Sequence, residues 1–256
     1  MTLKQPDQEA IAHGRISEKP LRDKPSIPSW VLKLTMAVTG LLFTLFVIGH
    51  MAGNLKLYAP ATEDGAALDV YGRFLRSAGE PLLPENALLW IVRIVLLAAL
   101  VAHILAAIML YQRSGQSRGK FKRTNLMGGW QSTATRWMLV TGVILLLFII
   151  FHILDLTAGT VVASEQFVHG NVRDNLIATF APERWYVTLF YLVAMLALLL
   201  HLTHGVYLAV SDLGWLGERG RGVMVVLGYV LPFIVVLGNV IMPLAIMAGL
   251  IPGYTR

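Results

Sequence analysis

Five long apolar runs, separated by polar stretches, set the pattern of this chain. They lie near 30–56, 87–111, 133–157, 185–211 and 223–249. At 1.5 Å rise per residue, about 20 residues cross a hydrocarbon core of ~30 Å, so each run is long enough to span a membrane. Trp30, Trp90, Trp130, Trp137, Trp185 and Trp215 fall near the ends of these runs, where an interfacial aromatic belt belongs. Pro232 and Pro243 predict a kink in the last run. The predicted fold class is an all-α membrane protein with five transmembrane helices. Its organisation is a polar tail over 1–29, a membrane anchor over 30–249 and a short tail over 250–256.

The polar stretches refine the picture. The tail holds four prolines and charges of both signs and reads as irregular, with a short helix around Gln8–His13. It is either a docking segment or a free terminus. No apolar leader precedes the first run, so insertion is expected to rely on the spans themselves. The loops at 57–86 and 158–184 contain DVYGRFLRSAGEPLLP and VRDNLIATFAPER, short amphipathic stretches suited to the membrane interface. No internal repeat stands out beyond the histidine spacing described below.

Composition supports the same class: 56% of the 256 residues are hydrophobic and only 14% are charged. The net charge of +6 raises the question of a nucleic-acid partner, which the placement of the charges answers. With the N-terminus inside, fourteen of the 21 lysines and arginines flank the inner side and seven the outer. This bias predicts an N-in, C-out topology and leaves no basic surface for nucleic acid. There are no cysteines, so disulfides and cysteine-ligated metal centres cannot come from this chain alone.

Histidine carries the candidate chemistry. Five of seven histidines lie inside spans: His50 on the first, His103 on the second, His152 on the third, and His201 and His204 on the fourth. His50 and His152 each sit about seven residues outward of their span midpoints, roughly 10 Å by helical rise. His103 and His201 sit about three to four residues inward, which separates two layers by roughly 15 Å. The first four spans thus form a cofactor-binding bundle with an outer pair, His50 and His152, and an inner pair. Facing imidazoles suit the two axial positions of a six-coordinate b-type haem, whose porphyrin supplies four equatorial nitrogens. Three residues apart, His201 and His204 compete for the inner position. Gly49, Gly53 and Gly205 beside the histidines leave room for a flat ring, although Gly49 and Gly53 suit close helix packing equally. His13 and His169 read as surface residues.

Arg93 lies at the depth of the outer pair and Arg136 near the inner end of the third span, where each is a candidate to bind a haem propionate or to snorkel. Asp155, one turn beyond His152, is a candidate for orienting that region, binding a quinone hydroxyl, relaying protons or capping the helix.

The stretches HMAGNLK (50–56), RTNLMGGWQSTATRWMLVTGVILLLFIIFHILDL (123–156) and LHLTHGVYLA (200–209) resemble the cytochrome b membrane-anchor subunit of bacterial succinate dehydrogenases and fumarate reductases, of the five-span single-anchor type. The resemblance implies two haems, with His50 and His152 on the distal one and His103 and His201 on the proximal one. It selects His201 over His204 because the family's ligand stands four residues before the glycine of LHLTHGVY. His204 is then left for a role near the inner haem or a quinone. The implied partners are an iron-sulfur subunit, a flavoprotein subunit, lipids and a further small membrane subunit, with menaquinone as electron acceptor. The implied location is the bacterial cell membrane. The acidic residue tied to quinone handling in related anchors has no clear counterpart among Glu63, Asp64, Asp69, Glu80 and Asp155.

Three rival readings bear on cofactor and partner. One is a histidine-ligated iron-sulfur centre, which needs cysteines from a partner subunit. Another is the cytochrome b of a membrane hydrogenase or formate dehydrogenase. The third is a transporter or proton channel with a histidine relay.

Overall fold

The computed structural model describes residues 26–118, 130–214 and 226–252, with positions 217, 220, 222 and 223 between the last two blocks; side chains at 115–118 and 130–136 are excluded. Residues 1–25, with the helix expected at Gln8–His13, lie outside the described residues, as do 119–129 and 253–256. The described residues form helices: α1 (Ser29–Asn54), α2 (Ala67–Ser77), α3 (Ala87–Arg118), α4 (Trp130–Ile153), α5 (Val172–Thr179), α6 (Trp185–Asp212) and α7 (Leu231–Met247). Five of them, α1, α3, α4, α6 and α7 with their flanking turns, are long and apolar enough to cross a membrane.

Packing follows from which faces are apolar. The close helix pairs are α1 with α3, α1 with α6, and α4 with α6, while α7 lies against α6 and α1. Around the bundle the order is therefore α3, α1, α6, α4, with α6 the most buried span and α4 the least. Leu45, Leu97, Leu147, Leu196 and Phe233 are each more than half exposed, one on every span. In water such contiguous apolar surface is a liability, and in hydrocarbon it is the solvated face. Trp30, Trp90, Trp137 and Trp185 are likewise exposed near span ends, as the belt requires.

The two amphipathic stretches of the longer loops form α2 and α5, which pack on each other. Asp69 receives the backbone N–H of Arg173 at 2.9 Å and joins them. At the opposite end, Lys33 pairs with Asp212 at 3.0 Å, and Arg113 donates to the Ile27 carbonyl at 2.7 Å, tying α1 to α6 and α3.

Two spans contain π-helical turns, at Leu154–Ala158 and Val226–Val230. The second precedes Pro232, whose ring obstructs the carbonyl four residues back, so the wider turn supplies the irregularity expected of that proline. The first ends at Gly159, in the left-handed conformation (φ 64°), with the Thr160 N–H returning to the Leu154 carbonyl at 3.0 Å. The Phe167 ring occupies the space that a Cβ at Gly159 needs. We expect Gly159→Ala to destabilise the protein by at least the ~1–2 kcal/mol of a left-handed non-glycine residue. Unfolding in mixed micelles measures this, and an unchanged midpoint contradicts it.

Candidate functional site

The histidines meet across the diagonals of the bundle. His50 on α1 faces His152 on α4, with ring centroids 5.7 Å apart and planes at 86°. His103 on α3 faces His201 on α6 at 6.4 Å and 54°. Neither combination, α1 with α4 or α3 with α6, is a closely packed pair, so space between each pair is left by the helix arrangement. The pairing expected from depth is the pairing found, and His201 rather than His204 is the ring that meets His103. His204 is buried one turn further along α6.

His103 and His201 are each held by a threonine on a neighbouring span. Thr39 Oγ1 lies 2.9 Å from His103 Nδ1, and Thr141 Oγ1 lies 3.1 Å from His201 Nδ1. Both hydroxyls already donate one turn back, Thr39 to the Thr35 carbonyl at 2.6 Å and Thr141 to the Trp137 carbonyl at 2.9 Å. A hydroxyl with its single proton so committed can only accept from the ring. Nδ1 is then the protonated nitrogen, and Nε2 keeps its lone pair.

These threonines belong to a motif absent from the sequence reading. Val38-Thr39-Gly40 and Val140-Thr141-Gly142 are the same tripeptide, each placed with its threonine eleven residues before the histidine of its own span. Eleven residues make about three helical turns, so threonine and histidine share a face roughly 16 Å apart. The helices α1 and α4 each give a hydroxyl to one layer and an imidazole to the other. The glycines also face these two rings: a Cβ at Gly40 would stand 3.7 Å from His103 Cε1, and one at Gly142 would stand 3.6 Å from His201 Cε1.

The glycines singled out from the sequence behave differently. Gly53 makes room for the Tyr71 ring of α2, which a Cβ would meet at 2.6 Å, so the helix packed against it here is a loop helix. Gly49 and Gly205 face open space.

The other layer has a more polar support. His152 Nδ1 lies 3.2 Å from the Tyr191 hydroxyl, which donates to Asp155 Oδ2 at 3.0 Å. Asp155 has no exposed surface, so the reading of it as a surface cap is corrected. Its other oxygen receives Arg184 Nη2 at 3.3 Å and Thr179 Oγ1 at 3.4 Å, and Arg184 also donates to the Val162 carbonyl at 2.7 Å. The π-helical turn carries Asp155, the end of α5 supplies Thr179, and the turn before α6 supplies Arg184. Phe148, Phe151 and Phe180 enclose the Tyr191 ring at centroid distances of 5.1, 6.1 and 4.9 Å. His50 stacks on Phe46 at 5.5 Å.

Arg93 is exposed, with its guanidinium over the Trp90 ring at 5.0 Å. It lines a 540 Å³ cleft with Arg76, His169, Asn175, Leu156 and Thr157, immediately beyond Asp155 in the chain. Arg136 stands on α4, but its side chain lies outside those described.

Residues 115–237 match the model of the succinate dehydrogenase/fumarate reductase transmembrane subunit family. That segment, a little under half of the chain, is similar to this family. Together with the five long apolar helices, the match supports a multi-pass membrane protein similar to the transmembrane subunits of those complexes. No curated protein and no solved structure gives a significant match. The matched segment contains Thr141, His152, Asp155, Arg184, Tyr191, His201 and His204, whereas His50 and His103 precede it.

Proposed function

We propose that this subunit is the cytochrome b anchor of a succinate:quinone oxidoreductase in a bacterial cell membrane. In this reading His50 and His152 would hold one b-type haem, and His103 and His201 would hold a second. The observation that carries it is the pair of facing imidazoles on both diagonals. Two metal–nitrogen bonds of about 2 Å, with roughly 1 Å more from each nitrogen to its ring centre, place the centroids about 6 Å apart. The measured separations are 5.7 and 6.4 Å.

The donor set supports haem over a bare ion. Among the described residues no three histidine, aspartate or glutamate side chains cluster to hold a metal, and a haem would bring its own equatorial nitrogens. Thr39, Thr141 and Tyr191 each engage a ring at Nδ1, which would leave Nε2 to ligate, the role that outer hydrogen bonds to metal-binding histidines serve. Arg76 and Arg93 suit anionic carboxylates such as propionates, because a guanidinium binds a carboxylate through two parallel hydrogen bonds.

Haems bound at the two pairs would supply one-electron carriers between an iron-sulfur partner subunit and menaquinone. The chain's own part is ligation, burial and exclusion of water. With N-in orientation, the His103 and His201 layer is the one nearer the soluble partner subunits. A reduced-minus-oxidised spectrum of the purified complex tests the reading. We expect b-type bands and two haems per flavin. Their absence from an assembled complex would favour a histidine relay and sink the haem assignment.

A further inference from the structure

The four histidines share an imidazole chemistry, yet their supports differ in charge. At His103 and His201 the group on Nδ1 is a threonine hydroxyl, whose own proton goes to a backbone carbonyl. At His152 it is a tyrosine whose proton goes to a fully buried carboxylate. We propose that Tyr191 and Asp155 are positioning residues for His152, together raising the electron donation of that one ligand and lowering the reduction potential of the group it binds. The inference rests on the haem reading above.

The physical steps run from the carboxylate inward. Asp155 draws the Tyr191 proton toward itself, which leaves the phenolic oxygen a stronger acceptor for His152 Nδ1–H. A ring whose N–H is so engaged gives more density to its other nitrogen and binds the higher oxidation state better. Arg184 and Thr179 hold Asp155 in place from outside the span, at 3.3 and 3.4 Å. The aromatic rings of Phe148, Phe151 and Phe180 keep Tyr191 in its rotamer and keep water away from the contact. No proton needs to leave any of these groups for the effect to operate.

The test uses the whole complex. His152→Ala assigns the spectral component that depends on this layer. Redox titration of Tyr191→Phe and Asp155→Asn then follows that component. At a fixed ambient potential we expect its reduced-to-oxidised ratio to rise on the order of tenfold in either variant, about 59 mV for a one-electron couple. The other component stays within about twofold, a margin small against that effect. Thr39→Val serves as the converse control and moves only the component that His152→Ala retains. If Asp155→Asn does not assemble, Tyr191→Phe decides alone. An unmoved His152-dependent component in Tyr191→Phe, or equal movement of both components, overturns the inference while leaving the haem reading intact. A wild-type complex without b-type bands overturns both.

Discussion

With two haems bound as proposed, His152→Ala is expected to remove one and leave the other, halving the haem-to-flavin ratio of the assembled complex. The reason is geometric. His152 meets only His50 among the ligand candidates, at 5.7 Å, while His103 and His201 meet each other in a separate layer with separate threonine supports. Substitution at one layer therefore leaves all four groups of the other untouched. The companion experiment concerns the competing pair on α6. His201→Ala is expected to abolish the haem that His152→Ala retains, and His204→Ala to keep it, because the ring opposite His103 belongs to His201. Haem quantified by pyridine haemochrome, with flavin as the internal standard, decides the matter. Loss of both haems from a well-assembled His152→Ala complex would contradict independent layers, and a haem lost in His204→Ala but kept in His201→Ala would reverse the ligand assignment.

How far the sequence revealed this arrangement depended on the kind of signal each residue carries. A histidine in an apolar span is conspicuous because it is costly there, and its depth can be counted from the span midpoint. Depth placed His50 with His152 and His103 with His201 or His204, the resemblance selected His201, and the rings of His50 with His152 and of His103 with His201 are found facing each other. The amphipathic stretches that became α2 and α5 were visible for the same reason, as polar periodicity between apolar runs. Thr39 and Thr141 were not visible. Threonine satisfies its hydroxyl on its own helix and so passes unmarked within a span. The available signal was repetition, Val-Thr-Gly at the same spacing before His50 and before His152. Asp155 was noticed, but its partners Thr179, Arg184 and Tyr191 follow 24 to 36 residues later and reach it only through the turn of the chain between α4 and α6. Gly53, beside His50 in sequence, suggested room for a ring or close packing of helices, and the neighbour it makes room for is Tyr71 of a loop helix.

Asp155→Leu is expected to destabilise the folded subunit by about 3 kcal/mol or more, the range for breaking a buried charge pair from one side. The loss is large because of what stays behind. Arg184 is mostly buried, Nη1 already lacks a hydrogen-bond partner among the described residues, and without Asp155 its guanidinium keeps only the Val162 carbonyl. The Tyr191 hydroxyl loses its acceptor in the same stroke. If the damage comes from the stranded cation, removing it as well should restore stability, because a buried ion pair replaced by apolar groups of similar volume is often neutral. The double variant Asp155→Leu with Arg184→Met is therefore expected to recover most of the deficit, within about 1 kcal/mol. Equilibrium unfolding in mixed micelles of the wild type, both single variants and the double variant completes the cycle. Additive losses would show that the two side chains act separately and that the 3.3 Å contact contributes little. Strong coupling would place Asp155 and Arg184 as one unit, pinning the loop between α4 and α6 to the end of α4 and holding Tyr191 where His152 needs it.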